Sequence, residues 1–264
     1  MNAKFYETNR AAWNEALTYH QQARNNSLQK GFENPDFTTF DRDCDKMLFD
    51  KMKAFDLVDK AIAQLPCNNG RELLSLMRLG AKEAFGFDIS DTAIAEARQL
   101  AEIAKLNATF ERINILEIGD AYNDRFDFIY ISEGSLQWFP DLDEYFAVVS
   151  RLLKKDGKIL IFELHPFSYV NGKLKQDPNY ATSYFEKGPY CYKDGLDYVG
   201  GVQYNAKECC WFMHKMSDII MAVLHSDFTI EEFEESNQEM ANGLNMQGIE
   251  RFPLSYLLVG RSAK

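Results

Sequence analysis

The chain reads as an α/β protein built on one mostly parallel, seven-stranded sheet flanked by helices, and three observations predict it. From about residue 56, short apolar runs alternate with amphipathic stretches of helical period, the pattern of βαβ units. The first run ends in a glycine-bearing bend, Leu65-Pro66-Cys67-Asn68-Asn69-Gly70, and the second ends in an acid, Asp88. After five such units the order changes to helix, strand, loop and strand, unlike the ending of a plain dinucleotide-binding domain. Together these give a Rossmann-like sheet with an N-terminal helical cap (1–55), a core (56–264) and an insertion after the fifth strand (166–210).

Each element has its own justification. In the cap, Arg10 to Gln22 and Asp43 to Lys60 read as helices separated by the breaker Gly31-Phe32-Glu33-Asn34-Pro35. Val58 to Leu65 is the first strand. Arg71 to Leu79 is helical, with Leu73, Leu76, Met77 and Leu79 on its apolar face, and Glu83 to Phe87 is the second strand. Ser90 can cap the next helix, whose Ala93, Ile94, Ala97, Leu100, Ala101 and Ala104 recur at three-to-four spacing. Ala108 to Ile113 and Phe126 to Ile131 are strands three and four. Leu142, Tyr145, Phe146, Val149, Leu152 and Leu153 stripe the following helix, and Asp156-Gly157 turns into the fifth strand, Lys158 to Leu164. The segment from His165 to about Cys210 is rich in Tyr, Gly, Asp and Pro and reads as loops with a hairpin. Ser217 to Leu224 is a helix, and Phe228 to Phe233 and Leu254 to Gly260 are the last strands.

At 264 residues the chain can bury a large core, and its 46% apolar content is ordinary for a globular protein. No apolar run approaches the roughly 20 residues that cross a bilayer, and the N-terminal stretch lacks the apolar core of a signal peptide. The net charge of −11 and the absence of a long Lys/Arg run argue against a nucleic-acid partner. Five cysteines, with only Cys209 and Cys210 close in sequence, lack zinc-wrapping spacing. They read as reduced thiols of a cytoplasmic protein without a structural metal. A monomer or a homodimer fits equally.

The bend and the acid form the chemical argument. A loop between a strand and a helix sets backbone N–H groups beside the carboxyl ends of the strands, where open α/β sheets bind ligands. Gly70 lets a ligand approach the backbone. Asp88 at the tip of the second strand can accept both hydroxyls of a ribose. As plain structure, the bend is a turn and Asp88 a helix cap; taken together they favour a nucleoside.

Five further pieces carry a resemblance: Arg78-Leu79-Gly80-Ala81, Gly86-Phe87-Asp88-Ile89-Ser90, the run Ser135 to Leu142, Glu163-Leu164-His165-Pro166-Phe167, and Trp211 to Ile220. With the bend, Asn9-Arg10 to Trp13, and His20, they resemble the class I S-adenosylmethionine (SAM)-dependent methyltransferases, in a bacterial branch with a helical cap and an insertion after strand five. The resemblance implies that Leu65, Pro66, Cys67, Asn68 and Gly70 cradle the methionine portion of SAM. It implies that Asp88 holds the ribose with Ile89 against the adenine, that Asn114 and Ile115 line the adenine end, and that Ser132, Glu133 and Gly134 close the site. The chain departs from the pattern at Pro66 and Asn68, where glycines are usual, at Gln64, where an acid is usual, and at Asn114 in place of Asp. Asn tolerates left-handed backbone and can serve at position 68.

The implied activity is methyl transfer from SAM to a small-molecule acceptor, leaving S-adenosylhomocysteine. The donor is already activated, so the protein's contribution is alignment, on the order of 7–11 kcal/mol, with a general base adding about 10²–10⁴-fold where one is used. The candidate proton acceptors are His165 and His20. Tyr6, Trp13, Tyr19, Trp138 and Phe167 are the candidate acceptor-side walls, and core packing is the plain alternative for each. His214 reads as structural. Three rivals are set against this. An NAD-linked oxidoreductase would need G-x-G-x-x-G, and no register of this loop has three glycines. An amino-methyltransferase of nucleic acid would need its Asn/Asp-Pro-Pro-aromatic box after strand four. The mimics Asn34-Pro35-Asp36-Phe37 and Asp177-Pro178-Asn179-Tyr180 lie elsewhere and read as turns. A SAM-binding sensor without catalysis is the third.

Overall fold

A computed structural model describes residues 3–40, 43–174, 183–237 and 252–264. The Asp177–Tyr180 mimic lies outside the described residues. Three helices open the chain, α1 (Ala3–Arg24), α2 (Ser27–Phe32) and α3 (Asp43–Lys53). Then β1 (Ala61–Gln64), α4 (Arg71–Met77), β2 (Glu83–Asp88), α5 (Asp91–Ala104), β3 (Ala108–Arg112), β4 (Phe126–Ile131), α6 (Leu142–Leu152) and β5 (Leu153–Leu164) alternate as the sequence predicts. α7 (Pro166–Leu174), a small pair β6 (Tyr190–Tyr192) and β7 (Cys209–Trp211), α8 (Met216–His225), β8 (Phe228–Ser236) and β9 (Ser255–Ser262) follow.

The main sheet has seven strands in the order β3-β2-β1-β4-β5-β9-β8. β1 to β5 pair in parallel, while β9 runs antiparallel between β5 and β8. Side chains alternate across the sheet. Ala63, Ile129, Ile131, Ile159 and Ile161 face one apolar layer with Tyr145, Phe146 and Val149 of α6 and Ile219 and Val223 of α8. Ile62, Ala84, Phe128, Leu160 and Phe162 face the other layer with Leu73 and Leu76 of α4 and Leu100 of α5. Burial on both faces is why these strands read as continuous apolar runs. The reversal of order at β1, with β2 on one side and β4 on the other, leaves a crevice above the strand tips.

Several boundaries differ from expectation: α1 spans Ala3–Arg24 rather than Arg10 to Gln22, β5 begins at Leu153 rather than Lys158, and α7 stands where the sequence reads as loop. α3 ends at Lys53, and β1 begins at Ala61 rather than Val58, because Asp56 and Asp59 take left-handed backbone in an intervening turn. The cysteines also differ. β6 and β7 pair antiparallel with Cys191 directly opposite Cys210, and these two form a disulfide, whereas all five were expected to be reduced. Their separation of 19 residues hid this, since only the hairpin register brings the Cα atoms to 4.1 Å. Buried Cys67 and Cys209 are outside any disulfide. No described helix is long and apolar enough to cross a membrane.

Candidate functional site

The bend after β1 is shaped by its own backbone. Cys67 N–H donates to Phe87 O at 2.9 Å, Gly70 N–H donates to Cys67 O at 2.9 Å, and Asn69 N–H donates to the Asn68 side chain at 2.7 Å. Asn68 and Gly70 sit at φ 48° and 72°, the conformations that Asn and Gly accept most readily. Gly86 on β2 has a packing reason: a Cβ there would lie 2.4 Å from the Phe110 ring and 2.8 Å from Cys67 Sγ. The sequence reading assigned Gly86 no role of its own.

Asp88 closes this arrangement. One of its oxygens accepts from Asn68 N–H at 2.9 Å and the other from Ser90 N–H at 2.8 Å. Burial pushes the carboxyl up to about 6, against the pull of those N–H groups. The Ile89 N–H also bears on this carboxylate, and the acceptor capacity that remains is open to an incoming hydroxyl. Ser90 caps α5 through Ala93 N–H. At the tip of β1, the Gln64 amide donates to Glu72 and to Ser132, both at 3.0 Å, tying together β1, α4 and the end of β4.

Past β4, one buried carboxylate organises the chain. Glu163 of β5 accepts from the backbone N–H groups of Gly134, Ser135, Leu136 and Leu164 at 2.5, 2.8, 3.1 and 2.7 Å. Burial raises its carboxyl to about 7 although all four donors oppose the shift. Sequence reasoning missed this clamp; an acid inside an otherwise apolar strand was the available signal.

The cap is latched over the crevice. The Asn9 amide donates to Cys210 O and accepts from Cys210 N–H, both at 2.8 Å, so α1 is fixed to β7. Arg10 and Asn14 bind Asp91 at 2.8 and 2.9 Å, and Ser90 Oγ donates to Asn14 Oδ1 at 2.7 Å, so α1 is also fixed to the head of α5. Between cap, strand tips and hairpin lies a cavity of about 530 Å³.

Most of the expected cofactor residues meet there. Pro66, Cys67, Asn68, Asp88, Ile89, Asn114, Ile115, Ser132, Glu133 and Gly134 all line it, with Asn69 between them. Leu65 and Gly70 do not: Leu65 turns its carbonyl to Tyr145 Oη at 2.6 Å, and Gly70 backs onto Phe110. Asn114 already accepts from Leu116 N–H at 3.2 Å. On the acceptor side, Tyr6, Trp13 and Trp138 line the cavity, with the two indoles edge to face at 5.5 Å between centroids. Tyr19 is instead stacked on Tyr204 at 4.2 Å and Phe167 on Phe252 at 4.7 Å, both outside it.

Neither candidate histidine lines the cavity. The polypeptide turns after β5 into α7, so His165 packs at the sheet end, with Nδ1 accepting from Phe167 N–H at 3.1 Å and Nε2 3.0 Å from Glu235. Burial lowers its pKa, with Glu235 opposing. The role of proton acceptor is therefore withdrawn from His165. His20 is wholly buried between Trp13 and Tyr198, its Nε2 2.9 Å from Leu196 O, and burial lowers it to about 4. A base so weak and so enclosed is not poised to receive a proton from an acceptor in the cavity. His214 bonds Phe139 O at 2.9 Å, a structural place. Arg24, Asp45, Arg71, Glu72 and Tyr198, to which the sequence reading assigned no site role, also line the cavity.

Comparison with known proteins agrees with this geometry. A family model described as a methyltransferase domain matches residues 59–228. The tRNA U34 carboxymethyltransferase of Aliarcobacter butzleri is 30% identical over 107 residues, covering 40% of this chain and 34% of that protein. The tRNA U34 carboxymethyltransferase of Campylobacter hominis is 34% identical over 85 residues, 32% of this chain and 30% of that one. The chain thus spans about a third of the length of the curated relatives it matches. Among solved structures, a SAM-dependent methyltransferase from Mesorhizobium loti superposes with a TM-score of 0.56 at 18% identity, covering 81% of this chain and 96% of that one. One from Clostridium acetobutylicum gives 0.58 at 17%, covering 83% and 90%. These two share the fold. The relatives' substrate overturns one expectation, a small-molecule acceptor with no nucleic-acid partner: net charge and the lack of a basic run describe the surface average, not the group that enters a pocket.

Proposed function

The chain belongs to the methyltransferase-domain family, with the class I SAM-dependent methyltransferase fold, and from that membership we propose that it binds SAM over the strand tips and transfers an alkyl group from it. The observation that carries this reading is the closure of Asn68 on Asp88, a buried carboxylate at the tip of β2 that keeps acceptor capacity for a ribose. The cavity's polar atoms fit such a ligand. Asn69 Nδ2 and Tyr6 Oη are buried without a partner among the described residues, and both residues line the cavity.

When bound, SAM supplies an electrophilic carbon on a sulfonium, which becomes a neutral thioether as that carbon moves to the acceptor. The protein's share is placement. Asp88 takes the ribose hydroxyls, Ile89, Asn114 and Ile115 flank the base, and Pro66 to Asn69 with Ser132, Glu133 and Gly134 enclose the amino-acid end. Trp13 and Trp138 exclude water on the acceptor side. The cap and the 166–210 insertion shape acceptor choice.

For the acceptor, the relatives support a tRNA nucleoside, and the aromatic faces of Trp13, Trp138 and Tyr198 suit a base taken out of its stack. With a net charge of −11, recognition would rest on the base more than on backbone phosphates, so the salt dependence of binding should be shallow. A cytoplasmic location follows from such an acceptor. Calorimetry with S-adenosylhomocysteine on the wild type and Asp88→Ala tests the donor site: binding lost in a variant of unchanged circular dichroism supports it, and unchanged affinity removes it. Turnover of SAM with unmodified tRNA separates an enzyme from a SAM-binding sensor.

A further inference from the structure

Arg24 is the last residue of α1, and its guanidinium faces the cavity with Nη1 buried and without a hydrogen-bond partner. Burying a charged donor unpaired is costly, so such a group marks a place where a ligand completes the structure. Arg71, at the start of α4, lines the same wall, with Nη2 3.6 Å from Glu72. The two cations lie within each other's field: burial lowers the Arg24 pKa, and Arg71 is the next cause. Tyr198, half-exposed at the same cavity, feels both arginines, with Glu72 and Glu133 opposing them.

The acids near Arg24 are occupied elsewhere. Glu96 accepts from the Gln21 amide at 3.3 Å. Asp197 accepts from the backbone N–H groups of Val199, Gly200 and Val202 at 3.2, 2.9 and 2.9 Å. Asp45, Glu72 and Glu133 are the other acids lining the cavity besides Asp88; Glu72 is engaged by Gln64 and Arg71. Two guanidinium groups beside a phenol match an oxyanion, which can take charge-assisted bonds from both forks.

We infer that Arg24 and Arg71, with Tyr198, form an oxyanion subsite in the cavity that receives a carboxylate or phosphate of a bound substrate. The inference rests on the donor site proposed above and names a group it must hold. Two sources carry this chemistry, the amino-acid carboxylate of the donor and a phosphate of the acceptor.

The test compares wild type, Arg24→Ala and Arg24→Lys by calorimetry. The probes are S-adenosylhomocysteine, 5′-methylthioadenosine (the same nucleoside without the amino-acid chain that bears the carboxylate), and inorganic phosphate with and without saturating S-adenosylhomocysteine. A loss of about 10–100-fold for S-adenosylhomocysteine in Arg24→Ala, with methylthioadenosine unchanged and partial recovery in Arg24→Lys, assigns the subsite to the donor. Unchanged nucleoside binding with phosphate affinity lost in Arg24→Ala assigns it to the acceptor. Equal binding of all three probes by wild type and Arg24→Ala overturns the subsite and leaves the donor site standing. If neither nucleoside binds the wild type, the donor reading fails by itself, and phosphate binding still decides the subsite.

Discussion

Asn68 N–H and the Asp88 carboxylate meet at 2.9 Å, joining the bend after β1 to the tip of β2. The acid proposed to hold the ribose is also the acid that holds the loop in shape. Binding and loop geometry therefore respond to the same proton.

The first prediction follows from the sign of that proton's effect. Burial raises the Asp88 carboxyl to about 6, and ribose hydroxyls donate to its ionised form. Affinity for S-adenosylhomocysteine should be flat above about pH 7 and fall by up to about tenfold per unit below about 6. Asp88→Asn should bind more weakly with that dependence removed. Calorimetry from pH 5 to 8 checks both; a flat wild-type profile would be contrary.

Glu163 provides a second dependence. Its folded-state value of about 7 lies above the 4.5 of an ordinary glutamate, so the native protein holds a proton that the unfolded chain has lost. The stability this contributes is fully present below about 4.5 and is lost as pH rises through about 7. Glu163→Gln should abolish that slope, with its stability deficit largest near pH 5 and smaller at pH 8. Its amide nitrogen would also face two N–H donors, so weaker S-adenosylhomocysteine binding is expected at every pH, by about 1–3 kcal/mol. Urea melts and calorimetry at the two pH values give the answer.

Gly86→Ala should destabilise the fold by about 1–3 kcal/mol, because its Cβ would press on Phe110 and Cys67. Since Cys67 is part of the bend, nucleoside affinity should fall as well. Denaturant midpoints together with binding constants test this, and Gly119→Ala, where a Cβ meets nothing within 4 Å, is the control.

Asn9→Ala removes both bonds to the backbone of buried Cys210. The stranded N–H and C=O should lower stability by roughly 2–4 kcal/mol. Hydrogen exchange should show the loss concentrated in α1 and β7; a uniform change would argue against a latch.

What the sequence disclosed and what it withheld divide along chain distance. The strand tips, the bend and Asp88 were legible because each is set by local period, turn residues and a few positions of spacing. The Rossmann-like order followed from the same alternation. Glu163, Arg24, Arg71 and Tyr198 were not legible as partners, since β5, α1, α4 and the insertion converge only when the sheet and cap are assembled. His165 was misread for the same reason: its place after β5 suggested the crevice, but the turn into α7 and the approach of Glu235 on β8 carry it away. The Cys191–Cys210 pair needed the hairpin register.

That pair closes residues 191 to 210 into a covalent ring, and Tyr192, Leu196, Tyr198 and Val199 of the cavity wall come from inside it. A protease that nicks the ring once leaves both ends attached, one through sulfur and the other through the peptide chain. The roof would then survive the cut in oxidising buffer and come apart only when a reductant is added, so nicked protein should keep its ligand until the thiols are freed.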